Sequence, residues 1–255
     1  KELGLRKRVT RSKCDITFLE NLDDPEACYW WGFITADGCI NNCSLIVAIH
    51  ERDEAHLLKF CAKAGGAKVS RSTKINDWHP VPYTMVRTAL SDQYTLERLK
   101  ERFKIQPRKT YHPFDIAEFC TPTRLCHYLA GIIDGDGHIY IRPQGGIVCI
   151  AIKVHPNWTE TFRLLSTKLK ELYDIDSTVT HGKEGWVVLR LQKMRHVVAL
   201  YDRVKNRVPL MSRKWDGMER VKDHCARSID RRLKPGPSEV RIDPQSDVVE
   251  GLIPQ

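Results

Sequence analysis

The chain has 255 residues, 42% of them hydrophobic and 29% charged, with a formal net charge of +9 and a pI near 9.1. That length supports one large or two small domains with real cores, and no apolar run is long enough to span a membrane. The basic balance suggests nucleic acid or an acidic surface as partner, while nine cysteines without a repeated Cys-x-x-Cys read as reduced thiols of an intracellular protein.

Residues 1–20 are basic. They read as a solvated leader, or as the remnant of an upstream DNA-binding module such as the tail of a helix-turn-helix; the leader is preferred. The first half is assigned to residues 21–118. Asp24 and Pro25 are the cap and first turn of a helix that ends at Asp37-Gly38. Ser44 to His50 reads as a strand with Leu45, Val47 and Ile49 on one face. Asp53 to Ala64 reads as a helix stopped by Gly65-Gly66. Ala67 to Lys74 and Tyr83 to Leu90 are strands around a loop holding Asn76, Asp77 and His79. Asp92 caps a helix to about Phe103, with Tyr94, Leu96, Leu99 and Phe103 as its apolar set. Arg108-Lys109 follow, and residues 111–121 read as a linker.

The second half, residues 119–233, repeats this order. Thr123 behind Pro122 caps a helix ending at Asp136-Gly137. His138 to Arg142 alternates, with His138, Tyr140 and Arg142 facing one way, and Pro143 to Gly146 is a turn. Ile147 to Val154 is a strand and Thr159 to Tyr173 a helix. Ser177 to His181 and Trp186 to Gln192 are strands, then Met194 to Lys205 is a helix. Arg213-Lys214 follow, before a final helix from about Trp215 to Leu233. Residues 234–255, rich in Pro, Ser and acids, read as a disordered tail. The fold class is therefore α+β: two pseudo-symmetric αββαββα halves, each an antiparallel sheet with helices on one face and a basic, polar opposite face.

The two helices that open the halves are a repeat. Tyr29 to Ile40 and Tyr128 to Ile139 share an aromatic start, a glycine, apolar pairs and a closing Asp-Gly, and the two Asp-Gly pairs lie 99 residues apart (136 − 37). Gly32 with Ala36, and Gly131 with Gly135, fall on one face of each helix. Helical glycine costs roughly 0.5–1 kcal/mol relative to Ala, and close helix–helix contact is the natural compensation. Two such faces pressed together bring Asp37 and Asp136 to one point, while Gly38 and Gly137 let the chain turn out into a strand. Paired carboxylates at the negative ends of two helix dipoles call for a cation, and oxygen ligands favour Mg²⁺. Such a pair suits phosphodiester cleavage.

The stretch LAGIIDGDG (Leu129 to Gly137), with its looser partner WWGFITADG (Trp30 to Gly38), resembles the LAGLIDADG homing endonucleases in their two-motif, single-chain form. Trp replaces the first Leu and Ala in the looser copy, and Thr35 stands at its first acidic position. The resemblance implies a saddle of two sheets on double-stranded DNA and a long asymmetric target. It implies a monomer with two or three divalent ions shared by Asp37 and Asp136. It also implies staggered cuts across the minor groove, leaving 5′-phosphate and 3′-hydroxyl ends. It assigns Lys109 and Lys214 to charge stabilisation near the metals. Glu54, and Asn157 in the second half, are the candidates for positioning solvent where the second strand meets its helix. Candidate base contacts are Arg71, Arg87, His138, Tyr140, Arg142, Lys153, Arg190 and Gln192. The last helix, with Arg220, Lys222, Arg227, Arg231 and Arg232, is a candidate phosphate grip. The alternative is a non-cleaving nucleic-acid binder on the same fold, an intron RNA maturase or a DNA-binding regulator. No splicing-junction signature marks an intein.

Overall fold

The computed structural model describes residues 14–41, 43–76, 79–142, 148–182 and 185–233. The first half runs α1 (Pro25–Asp37), β1 (Gly38–Ile40), β2 (Leu45–His50), α2 (Glu54–Lys63), β3 (Val69–Asn76), β4 (His79–Leu90) and α3 (Gln93–Arg102). The second runs α4 (Leu125–Asp136), β5 (Gly137–Ile141), β6 (Val148–Val154), α5 (Thr159–Tyr173), β7 (Thr178–His181), β8 (Val187–Leu191) and α6 (Met194–Val204), followed by α7 (Ser212–Trp215) and α8 (Met218–Leu233). The αββαββα repeat expected from the sequence is present in both halves. The two antiparallel sheets have the same order, β1-β2-β4-β3 and β5-β6-β8-β7.

Helices α1 and α4 sit between the sheets. Nine consecutive residues of α1, Ala27 through Thr35, are buried, as are ten of α4, Leu125 through Asp134. A helix apolar all round must be covered on every side. Here each motif helix packs on its twin along one face, while its other faces meet its own half. Trp31, for example, lies 4.6 Å from the Phe103 ring, and Trp30 lies 5.0 Å from that of Phe60. The expected glycine face is where the twins touch. A Cβ on Gly32 would stand 1.9 Å from the Tyr128 carbonyl oxygen, and one on Gly131 would stand 1.9 Å from that of Tyr29.

The caps follow the sequence at two helices and depart from it at a third. Asp24 accepts from the Glu26 amide at 2.9 Å, and Asp92 accepts from the Thr95 amide at 3.2 Å. Thr123 does not cap α4. Arg124 occupies that position, and the Arg124 and Leu125 amides bond the Thr121 carbonyl at 3.2 and 3.1 Å, so a backbone turn takes the place of a side-chain cap. Gly38 and Gly137 carry α1 and α4 directly into β1 and β5, yet both have extended backbones, with φ of −77° and −82°. They are glycine for space: a Cβ would meet Ile34 O at 2.6 Å or Ile133 Cα at 2.6 Å.

Two further expectations are corrected. Tyr94 is 71% exposed, so only Leu96, Leu99 and Phe103 of that set reach the core. The final helix starts at Met218 and not at Trp215, which ends the short α7; Asp216 and Gly217, the latter with φ +85°, separate the two. The 111–121 linker buries Phe114, Ile116 and Phe119. The leader's residues 1–13, Asp77, the 143–146 turn and the 234–255 tail lie outside the described residues. No helix among the described residues is long and apolar enough to cross a membrane.

Candidate active site

Asp37 and Asp136 are the last residues of α1 and α4. The twin packing brings them together at one end of the pair: a Cβ on Gly135 would meet Ala36 Cβ at 2.2 Å and Asp37 Oδ2 at 3.3 Å. Both carboxyls are pushed above their usual range, chiefly by removal from water. For Asp37 the facing Asp136 charge adds to this, Lys214 and Lys109 partly offset it, and the result is about 6.

Each lysine completes a helix end. Lys109 Nζ donates to the Thr35 and Ala36 carbonyls of α1. Lys214 Nζ donates to Ile133 O at 2.9 Å and to Gly135 O and Gly137 O at 2.8 Å. The last carbonyls of an α-helix lack intrahelical partners and carry the negative dipole end, so an ammonium there satisfies both needs. Burial pulls both ammonium pKa values down, while the facing carboxylates push back.

Two cavities flank the helix ends, and they pair acids with lysines across the halves. One, of about 250 Å³, holds Asp136 together with Lys109, Lys153 and His155. The other, of about 600 Å³, holds Asp37 together with Lys214, His50 and Asp53. The lysine-bearing loops dock on the opposite half accordingly. Arg213 forms a two-pronged ion pair with Asp53, both contacts 2.8 Å, whereas the first-half loop receives Asn157 Nδ2 on Tyr111 O at 2.7 Å and Trp158 Nε1 on Thr110 O at 3.1 Å.

Glu54 and Asn157 therefore stand apart from the acids. Glu54 pairs with Arg71 at 2.5 Å, and Asn157 braces the Lys109 loop; neither lines either of these two cavities. Other residues at the strand-to-helix bends do line the cavities, among them His50 with Arg52 and Asp53 in the larger, and His155 with Trp158 in the smaller. Each of these histidines caps the turn that follows it, with Nδ1 accepting from the Arg52 amide at 3.1 Å and from the Asn157 amide at 3.3 Å. In the neutral ring this places the hydrogen on Nε2. The sequence carries a signal for them that the strand pattern hides. Each histidine precedes its half's lysine by 59 residues (109 − 50 and 214 − 155).

The sheet face away from the helices meets both cavities. Register places Arg87 on that face opposite Ala48 and Ser70. In the second sheet His138, Tyr140, Lys153 and Arg190 share it, with Lys153 Nζ 4.8 Å from the Trp186 ring centre. Arg142 and Gln192 lie just past the ends of β5 and β8, both exposed. Arg71 does not belong to this set. It registers with the core residue Val86, on the helix side, where it reaches Glu54. On α8, Lys222 is paired with Asp202 at 2.6 Å, while Arg227 is exposed; the candidate side chains of Arg231 and Arg232 are not among those the structure describes.

The raised carboxyl of Asp37 sets a pH expectation. A group whose folded pKa exceeds its unfolded value adds stability below the unfolded pKa and loses that contribution as pH rises through the folded one, here from about 3.8 to about 6. At pH 7.5 the metal-free protein therefore bears the cost of the ionised pair. Asp37→Asn removes it and should stabilise the metal-free chain by on the order of 1–2 kcal/mol after discounting for solvent access. In thermal melts without metal that is roughly 3–5 °C at pH 7.5, shrinking towards zero near pH 4. A lower melting temperature for Asp37→Asn at pH 7.5 would contradict it.

No family model matches the chain, and no curated protein sequence matches it. Solved structures do. Full-length DUF199/WhiA from Thermatoga maritima is similar with a TM-score of 0.51 and 14% identity, over 88% of this chain and 72% of that one. The homing endonuclease I-WcaI bound to its DNA recognition sequence is similar with a TM-score of 0.54 and 12% identity, over 76% and 85%. The I-SmaMI LAGLIDADG homing endonuclease bound to cleaved DNA gives 0.51 and 12%, over 82% and 91%. At these identities the likeness is one of fold: the chain has the architecture of LAGLIDADG-fold proteins.

Proposed function

We propose that the chain is a monomeric, site-specific, metal-dependent endonuclease that cuts both strands of a long asymmetric DNA target. The observation that carries this reading is the pair of acids at facing helix ends, each sharing a cavity with the lysine of the opposite half, below the outer faces of two sheets. A purely structural pair of helix ends has no need of two mutually repelling carboxyls, each lining a cavity beside a lysine.

The donor set suits Mg²⁺. Among the described residues no group of three or more His, Cys, Asp and Glu side chains is placed to hold a metal. Mg²⁺ needs no such cage, since it is commonly held by one or two carboxylates with phosphate oxygens and water. Asp37 and Asp136 would hold it, and when bound it would polarise the phosphate and acidify water. The chain's own groups supply the rest. Lys109 and Lys214 are fixed cations within the cavities, where a phosphate gathers charge as its bond breaks. His50 and His155 replace Glu54 and Asn157 as the groups we assign to orient solvent. Arg87 on one sheet, and His138, Tyr140, Lys153 and Arg190 on the other, face outward on antiparallel strands, and such ribbons fit the major groove.

The test is a randomised target library incubated with Mg²⁺ or with Ca²⁺. Double-strand cuts at one long site with Mg²⁺, and binding without cutting in Ca²⁺, are expected. Specific binding with no cutting in either metal would replace this reading with that of a non-cleaving nucleic-acid binder.

A further inference from the structure

The proposed reaction uses the second acid of LAGIIDGDG, Asp136, and leaves the first, Asp134, without a role. Asp134 is 1% exposed. Its Oδ2 accepts from Tyr29 OH at 2.6 Å and from the Met211 amide at 2.8 Å, and its Oδ1 accepts from the Trp215 indole at 2.7 Å. Met211 and Trp215 bracket α7, the turn that carries Lys214. One buried carboxylate thus ties both ends of that turn to α4. Through Tyr29, whose hydroxyl also meets His56 Nε2 at 2.8 Å, it ties the turn to the first half as well.

Among its described residues the first half has no such device. Its matching residue is Thr35, whose hydroxyl bonds Trp31 O at 2.8 Å and Tyr128 OH at 3.0 Å, both on the motif helices themselves. The Lys109 loop is held instead by the amide of Asn157 and the indole of Trp158. The two cavities are alike in acid, lysine and histidine, but one lysine is held by a buried charge and the other by neutral contacts.

We propose that Asp134 is a positioning residue that holds Lys214 in the Asp37 cavity, with no counterpart at the Asp136 cavity, so that its loss disables one strand cut and spares the other. This rests on the nuclease reading above. The chemistry of an amide replacement makes the point. Met211 N–H and Trp215 N–H can only donate, so both need an acceptor, and Asn has one acceptor oxygen where Asp has two. In Asp134→Asn one of those donors loses its partner and α7 loses an anchor.

The experiment has two arms on the full chain. In the first, a target recovered with wild type is labelled on each strand and cut under single-turnover conditions. Asp134→Asn should slow by about 100-fold the same strand that Lys214→Met slows, the scale of losing one fixed charge-stabilising group. The other strand should change by less than about threefold, since the second cavity keeps all its groups. A fall in the amount of folded protein would slow both strands alike, and equal slowing, or none, overturns the proposal. Should Asp134→Asn fail to fold, Tyr29→Phe keeps the acid and two of its donors and should show a smaller bias on the same strand; equal strand rates there overturn it too. The second arm needs no cleavage. Amide hydrogen exchange at 211–215 should accelerate in Asp134→Asn while 108–111 stays unchanged, and unaltered protection at Met211 overturns the proposal. If wild type cuts neither strand, the nuclease reading falls, and the exchange arm still decides whether Asp134 holds the Lys214 turn.

Discussion

Gly131→Ala is expected to destroy the fold, although alanine is the better helix former. In an ordinary helix the exchange would gain roughly 0.5–1 kcal/mol. Here the new methyl would lie 1.9 Å from the Tyr29 carbonyl oxygen and 2.6 Å from the Phe33 amide nitrogen. Both atoms are backbone of α1, so no side-chain rotation relieves the overlap. The helices must move apart along their whole contact, and Gly32, whose own Cβ would be 1.9 Å from Tyr128 O, shows that the approach is equally close from the other side. Overpacking against mobile side chains costs about 1–3 kcal/mol, and a clash between two helix backbones should exceed that range. A domain with about 5–15 kcal/mol of total stability has little room for such a loss. Urea unfolding should show a midpoint far below wild type, or the variant should be insoluble. Gly182→Ala is the control: its Cβ would meet only Trp186 O at 3.6 Å, an ordinary contact, and its midpoint should match wild type. A wild-type midpoint for Gly131→Ala would mean that the two helices do not meet as described.

How far the sequence could be read depends on whether a signal is local. The glycine face was legible because Gly32, Ala36, Gly131 and Gly135 recur at helical spacing and a glycine inside a helix needs a reason. Asp24 and Asp92 were legible as caps because a cap acts within three residues. Thr123 looked the same but lost its place to the Thr121 carbonyl, and backbone competition leaves no mark in the residue type. Arg71 was misplaced because Ser70 to Lys74 is polar throughout, so nothing distinguishes its two faces. Only the register with Val86 assigns Arg71 to the helix side. Lys109 and Lys214 were named from the family resemblance and from the Arg-Lys pair at a matching place in each half. Their hold on helix carbonyls 73 to 81 positions away was not visible, because backbone acceptors carry no sequence signature. His50 and His155 were passed over for the opposite reason: as ends of alternating strands they look like ordinary exposed residues, and only their equal distance from the lysines marks them.

The acids and the lysines should fail in different ways when replaced. Asp37→Asn and Asp136→Asn are each expected to lower cutting of both strands by more than about 1,000-fold, because each removes half of a charge that two or three shared ions require. The carboxyls face one another across the ends of twin helices, so neither belongs to one strand alone. The lysines do not share in this way. Lys109 lies with Asp136 in one cavity and Lys214 with Asp37 in the other. Lys109→Met should therefore slow one strand by about 100-fold and Lys214→Met the other by a similar factor, each leaving a nicked product to accumulate. Both lysines also close helix ends, so melting temperatures must be read beside the rates. Loss of a cap costs about 1 kcal/mol and lowers the melting temperature by a few degrees, but it cannot choose between strands. Supercoiled plasmid carrying the recovered target separates the cases in one gel: unchanged plasmid with the asparagine variants, nicked circles with the methionine variants, linear DNA with wild type. Linear product from Asp136→Asn at the wild-type rate would remove the shared-acid mechanism, and nicking of the same strand by both methionine variants would remove the crossed assignment of the lysines.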